Sequence, residues 1–185
     1  MRHLEVEPDA VCLNTVIDSM LDAEFAGALA LYRAQMDGSN VGVATSRKDG
    51  MDLHGLTGEL ARLAVRVKLL DIAIALTSTS TEIWRHPEEH GLQADGSLQL
   101  IVGLGQHSRT GESILGPSLL QMLEQELGLR AHFHPQSESV LQIPKHELLQ
   151  LINFPEGFSN YSSQEEVGKK WRAQFMSFIR LVAEM

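Results

Sequence analysis

Scarcity is informative in this chain. It contains a single cysteine, Cys12, so no internal disulfide can form, and the residue reads as a small buried hydrophobe on the first helix. Basic residues are outnumbered, 15 Lys and Arg against 24 Asp and Glu, for a formal net charge of -9. An electrostatic grip on nucleic acid or on an anionic membrane needs clustered Lys and Arg, so neither is an expected partner. No run approaches the ~18 to 20 apolar residues that a membrane span requires, and the first residues, MRHLEVEPDAV, carry no apolar segment of the signal-peptide kind. A soluble, cytoplasmic protein with protein or small-molecule partners is the expectation. No repeat, no Gly-Lys-Ser/Thr ending of a phosphate loop and no Gly-x-Ser-x-Gly elbow occurs, so a hydrolase has no support from a motif.

What is present is enough for a core. With 185 residues and 43% hydrophobic content, one domain is the default. Val11, Val16, Met20, Leu21, Phe25, Leu29 and Tyr32 recur at mixed three and four spacings, which predicts a helix across Gly27. Asp37 to Asp52, with three glycines and several small polar residues, reads as a connector. The run from Leu53 to Leu76 sets Leu56, Leu60, Leu63, Val67, Leu70 and Ile74 on one face and predicts a long helix. From Thr81 to Gln106 the texture predicts two antiparallel strands around Asp, Gly and Pro breakers. A helix over Leu115 to Leu127 follows, then strands at RAHFH and SVLQIP, then a helix start at KHELLQLIN. In the last residues Ser162 and Ser163 precede Glu165 and Glu166 as capping-box pairs, and Trp171, Phe175, Phe178, Ile179 and Val182 form an apolar stripe.

This order predicts an α+β fold, a two-layer α/β sandwich with an antiparallel or mixed sheet plus N- and C-terminal helices. Residues 1–52 read as N-terminal helix and connector, 53–146 as the sandwich, and 147–185 as a C-terminal helical segment, together one compact unit.

The stretch GPSLLQMLEQELGLRAHFHPQSESVLQIPK resembles the final third of the ATP-binding domain of histidine kinases, the GHKL fold. In it a glycine-led helix ends in a glycine and a hairpin closes in an apolar-Pro pair. Gly116, Gly128 and Ile143-Pro144 stand at those positions, and the likeness extends back to Leu53. The resemblance implies a helix Asn that holds magnesium and a strand ending in Asp-x-Gly that reads adenine. Here KLLDIAIALT offers Asp71 and Ile72, and IVGLGQ offers Gly103 and Gly105. An apolar side chain cannot bind magnesium and a glycine has no side-chain acceptor. The implied site near Asp71, Ile72, Gly103, Gly105 and Gly116 has therefore lost ATP, and no cofactor is expected.

Bacterial histidine phosphotransferases share that degeneracy, which directs attention to His54. LHGLTGEL reads as a histidine in the first turn of a long helix, with Glu59 and Arg62 one and two turns on, a phosphoryl acceptor toward a response regulator. The other reading of His54 is a polar helix-start residue. His132 and His134 on one strand, with His86 and His90 on a nearby turn, are candidate metal ligands if the fold joins them; otherwise they are surface histidines. GLGQHSRTGES, with Arg109, is a phosphate-loop candidate only if its glycines do more than turn the chain. The resemblance implies homodimerisation by helix pairing; the alternative is that both terminal helices complete a monomeric core. Three functions remain open: a two-component signalling protein with an ATP-incompetent body, working by phosphotransfer or by docking on a regulator; an adaptor with no phosphoryl chemistry; and an ATP-binding regulator whose site departs from the family's pattern.

Overall fold

The computed structural model describes residues 10–20, 25–38, 45–47, 50–78, 82–103 and 114–152. The stripe predicted in the last residues, Gly105 and Arg109 lie outside them. Two N-terminal helices, α1 (Ala10–Met20) and α2 (Phe25–Gly38), pack on each other, so the single helix expected across this stretch is a pair. Two short strands follow, β1 (Thr45–Arg47) and β2 (Gly50–Asp52), then the long helix α3 (Gly58–Ser78). The rest is β3 (Leu98–Ile101), α4 (Leu115–Gln121) with a π-helical turn at Met122–Glu126, β4 (His132–His134), β5 (Ser137–Ile143) and α5 (Lys145–Leu148).

The fold is α+β, and its sheet is mixed. Strand order is β1-β2-β3-β5-β4, antiparallel throughout except for the parallel pair of β2 with β3. The stretch read as a connector thus supplies two strands, and both lie on the N-terminal side of residue 53. Its small polar residues leave no alternation to read, and the strands are only three residues each.

The hairpin expected between Thr81 and Gln106 is absent from the described part of that stretch. Glu82 to Arg85 forms turns, Pro87–His90 a 3-10 helix, and β3 finds its partners elsewhere, in β2 and β5. Pro87 lacks a ladder donor and holds φ near the helical value, which favours the short helix over a strand. Trp84 instead lies under the Lys145 ammonium, 4.2 Å from the ring centroid, and fastens this excursion to the start of α5.

Alternation sorts the sheet's faces. Leu98 pairs with Ile143 and Leu100 with Leu141, all four fully buried, while the intervening Gln99–Gln142 and Ile101–Val140 pairs face the other way and are half-buried. The inward side chains join α3 in one core. That helix buries far more than the predicted stripe: Val65, Leu69, Ile72 and Leu76 are as buried as Leu60 and Leu63. A helix apolar nearly all round must be covered on more than one side. Ile17, Ala28 and Tyr32 of the N-terminal pair, all fully buried, belong to that core. Cys12, expected in the core, is exposed.

Charge closes the seam between α3 and α4. Arg62 and Arg66, one turn apart, both donate to the Glu126 carboxylate, Arg66 at 2.5 Å. Burial pulls the Arg66 guanidinium below its ordinary pKa and Glu126 opposes that pull. Removing the carboxylate leaves two poorly hydrated cations side by side. Glu126→Gln is expected to cost about 2–4 kcal/mol in urea unfolding, and an unchanged midpoint would assign the pair no stabilising role.

Asp95 gives a smaller, pH-dependent term. Its carboxylate accepts from the Ser97 backbone N–H at 2.8 Å, and hydrogen bonds from Ser97 hold its pKa below the usual carboxylate value. A depressed pKa means stability present above the unfolded value, about pH 4, and lost as pH falls through the folded one. Because the group is largely exposed the effect is small. Asp95→Asn should flatten the stability profile below pH 4 while leaving its shape at neutral pH intact, as followed by urea unfolding across pH.

Candidate functional site

Asp52 is the last residue of β2, and Leu53 stays in the ladder by donating its N–H to the Ile101 carbonyl at 3.0 Å. The chain then reverses. Leu56 N–H donates to the Leu53 carbonyl at 3.3 Å, so His54 and Gly55 are the two corners of a β-turn, and Gly55 takes the φ of +76° that a second corner of type II needs. Thr57 caps α3: its hydroxyl accepts the Leu60 N–H at 3.3 Å and its carbonyl the Ala61 N–H at 2.9 Å. His54 therefore precedes the helix, in the turn between strand and cap, and not in its first turn as its sequence context suggested.

Asp52 fixes that turn from below. Its Oδ1 accepts the His54 backbone N–H at 3.0 Å, a local Asp-turn bond, and the same oxygen lies 3.9 Å from His54 Nδ1. The Asp52 side chain is 12% exposed and the imidazole 63%. A sheltered carboxylate thus stands behind an open imidazole.

The parallel neighbour supplies the floor. Gly103, two residues beyond β3, has φ +72°, and a Cβ built on it would come 2.7 Å from His54 Cε1 and 3.2 Å from both ring nitrogens. The imidazole occupies the place that a side chain at 103 would take. This is the position where the nucleotide-reading Asp was looked for, and the space is already filled.

The other candidates disperse. Ile72 is 1% exposed within the core, and Asp71 bonds Arg33 of α2 at 2.5 Å. Burial raises the Asp71 pKa, with Arg33 and then Lys68 opposing the shift. Asp71 lies about 20 Å along α3 from its start, given 1.5 Å per residue, so it does not join His54. Gly116 is packed under the Phe133 ring, with 3.0 Å between its would-be Cβ and Cε1. His132 and His134 are on the edge strand β4, where His134 Nδ1 accepts the Gln136 N–H at 3.3 Å. His86 and His90 flank and end the 3-10 helix, and His86 Nδ1 is 3.9 Å from Glu88. Among the described residues no three His, Cys, Asp or Glu side chains gather to hold a metal ion.

Sequence reasoning found His54 and passed over Asp52. The signal was there: an Asp two residues before a His-Gly pair is a turn-forming arrangement, and it follows a glycine-rich run. Gly103→Ala is expected to swing the imidazole off the strand end, shifting the His54 ring resonances in NMR spectra, with about 1–3 kcal/mol lost to backbone strain and contact. An unmoved ring would show that Gly103 does not seat it.

Comparison with protein-family models, with curated proteins and with solved structures finds no match in any of the three.

Proposed function

We propose that His54 is the working group of a phosphoryl-chemistry site, with Asp52 as its positioning residue. The observation that carries the reading is the open imidazole held over Gly103 with a sheltered carboxylate on its Nδ1 side. In this reading the carboxylate on the Nδ1 side favours the tautomer with the proton there, and the Nε2 lone pair is the nucleophile toward phosphorus. Attack forms an Nε2–P bond as the donor's P–O bond breaks, the electron pair leaving with the donor oxygen. An aspartyl phosphate on a response regulator is the donor class this reading takes. The support is the Asp52–His54 geometry rather than a helix-borne histidine, since His54 stands in a turn.

The body around it is proposed to be a histidine-kinase-like sandwich that no longer uses ATP. Engagement of Asp71 with Arg33, burial of Ile72 and the occupied space at Gly103 support that view. A protein that only docks on a regulator, with no chemistry of its own, is the outcome to be separated from it.

Incubation with a phosphorylated regulator or with a small phosphoryl donor is expected to yield acid-labile, alkali-stable phosphohistidine on the full chain. It should vanish in His54→Ala and form about 10- to 100-fold more slowly in Asp52→Asn, with unfolding midpoints monitored in parallel. Label that survives in His54→Ala would displace the site, and no label in the wild-type chain would leave docking as the function. Magnesium-ATP at millimolar concentration is expected to leave the melting temperature unchanged; stabilisation of several degrees would restore a nucleotide site.

A further inference from the structure

The sheet brings a second carboxylate to the His54 end. β3 and β5 pair as Leu98–Ile143, Gln99–Gln142, Leu100–Leu141 and Ile101–Val140, and the Val102 N–H still donates to the Ser139 carbonyl at 2.8 Å. Counted one residue further in the same register, Glu138 falls opposite Gly103, where the chain leaves the strand with φ +72°. Glu138 is exposed, and alternation along β5 sets it on the face of Val140 and Gln142, the face that Asp52 shares by pairing with Ile101. Directly opposed antiparallel residues have Cα atoms about 5 Å apart. Glu138 therefore stands on the strand beside the one whose end seats the imidazole, on the sheet face that Asp52 shares.

We propose that Glu138 is the general base that limits the lifetime of phosphohistidine at His54. The inference rests on the phosphoryl-acceptor reading and adds to it a built-in reset. Asp52 serves the imidazole itself. Glu138 lies within β5 and is exposed, and the role proposed for it is to take the proton of a water that attacks the phosphorus of an Nε2-bound phosphoryl group. In the step, the water oxygen forms a bond to phosphorus as a proton passes to the Glu138 carboxylate. The P–N bond breaks, its electron pair returns to Nε2, and inorganic phosphate leaves. Glu138 then gives up the proton to solvent.

The full chain would be labelled with phosphoramidate, the donor freed by desalting, and the loss of phosphohistidine followed at neutral pH. Glu138→Gln is expected to lengthen the half-life about tenfold or more while leaving the rate of labelling close to wild type, and Glu88→Gln, a distant exposed carboxylate, should change neither. Equal half-lives in wild type and Glu138→Gln would overturn the role of Glu138 and leave the acceptor reading standing. Slower labelling together with unchanged decay would also overturn it, placing Glu138 in donor capture. Failure of the wild-type chain to label removes the acceptor reading and this inference with it.

Discussion

The parallel pairing of β2 with β3 is the constraint on which the candidate site depends. Two parallel neighbours bring the ends of two separate chain segments to the same edge of the sheet, and a helix must carry the chain back between them. α3 is that crossover, and its burial on several sides makes the pairing affordable despite strands of three and four residues. With Met51 opposite Leu100, Asp52 opposite Ile101 and Leu53 still bonded to Ile101, the turn that follows comes over the end of β3. His54 stands there.

The charges around the core divide by task. The Arg62–Arg66–Glu126 cluster and the Arg33–Asp71 pair join helices to one another. Asp52 differs in that its carboxylate faces both a backbone donor and an imidazole with a free path to solvent. A local Asp-turn bond of this kind orders the backbone from which the ring projects.

Legibility followed the length of the pattern. Helix α3, the α4 segment ending at Gly128, and the β4–β5 hairpin announced themselves through periodicity and turn residues over many positions. The strands at Thr45–Arg47 and Gly50–Asp52 did not, because three residues carry too little alternation and Gly50 and Asp52 are poor strand formers taken alone. The Trp84 segment misled in the opposite direction: alternation around Asp, Gly and Pro breakers suggested a strand, and the segment forms turns and a 3-10 helix that starts at Pro87. For the site, His54 could be singled out from its neighbours in sequence, whereas its seat on Gly103 could not, since Gly103 comes to it only through the pairing of β2 with β3.

Composition and local pattern by themselves determined that the chain carries one cysteine and an acidic balance, holds no apolar helix of membrane-crossing length among the described residues, and combines a long buried helix with short strands in an α+β fold. These depend on side-chain chemistry summed along a continuous stretch. Tertiary structure alone decided that the sheet is mixed, that Asp71 is taken by Arg33, and that His54 lies in a turn above Gly103. Each of these depends on which distant segments pair, and the apolar burial that selects a pairing is shared by residues far apart in the chain.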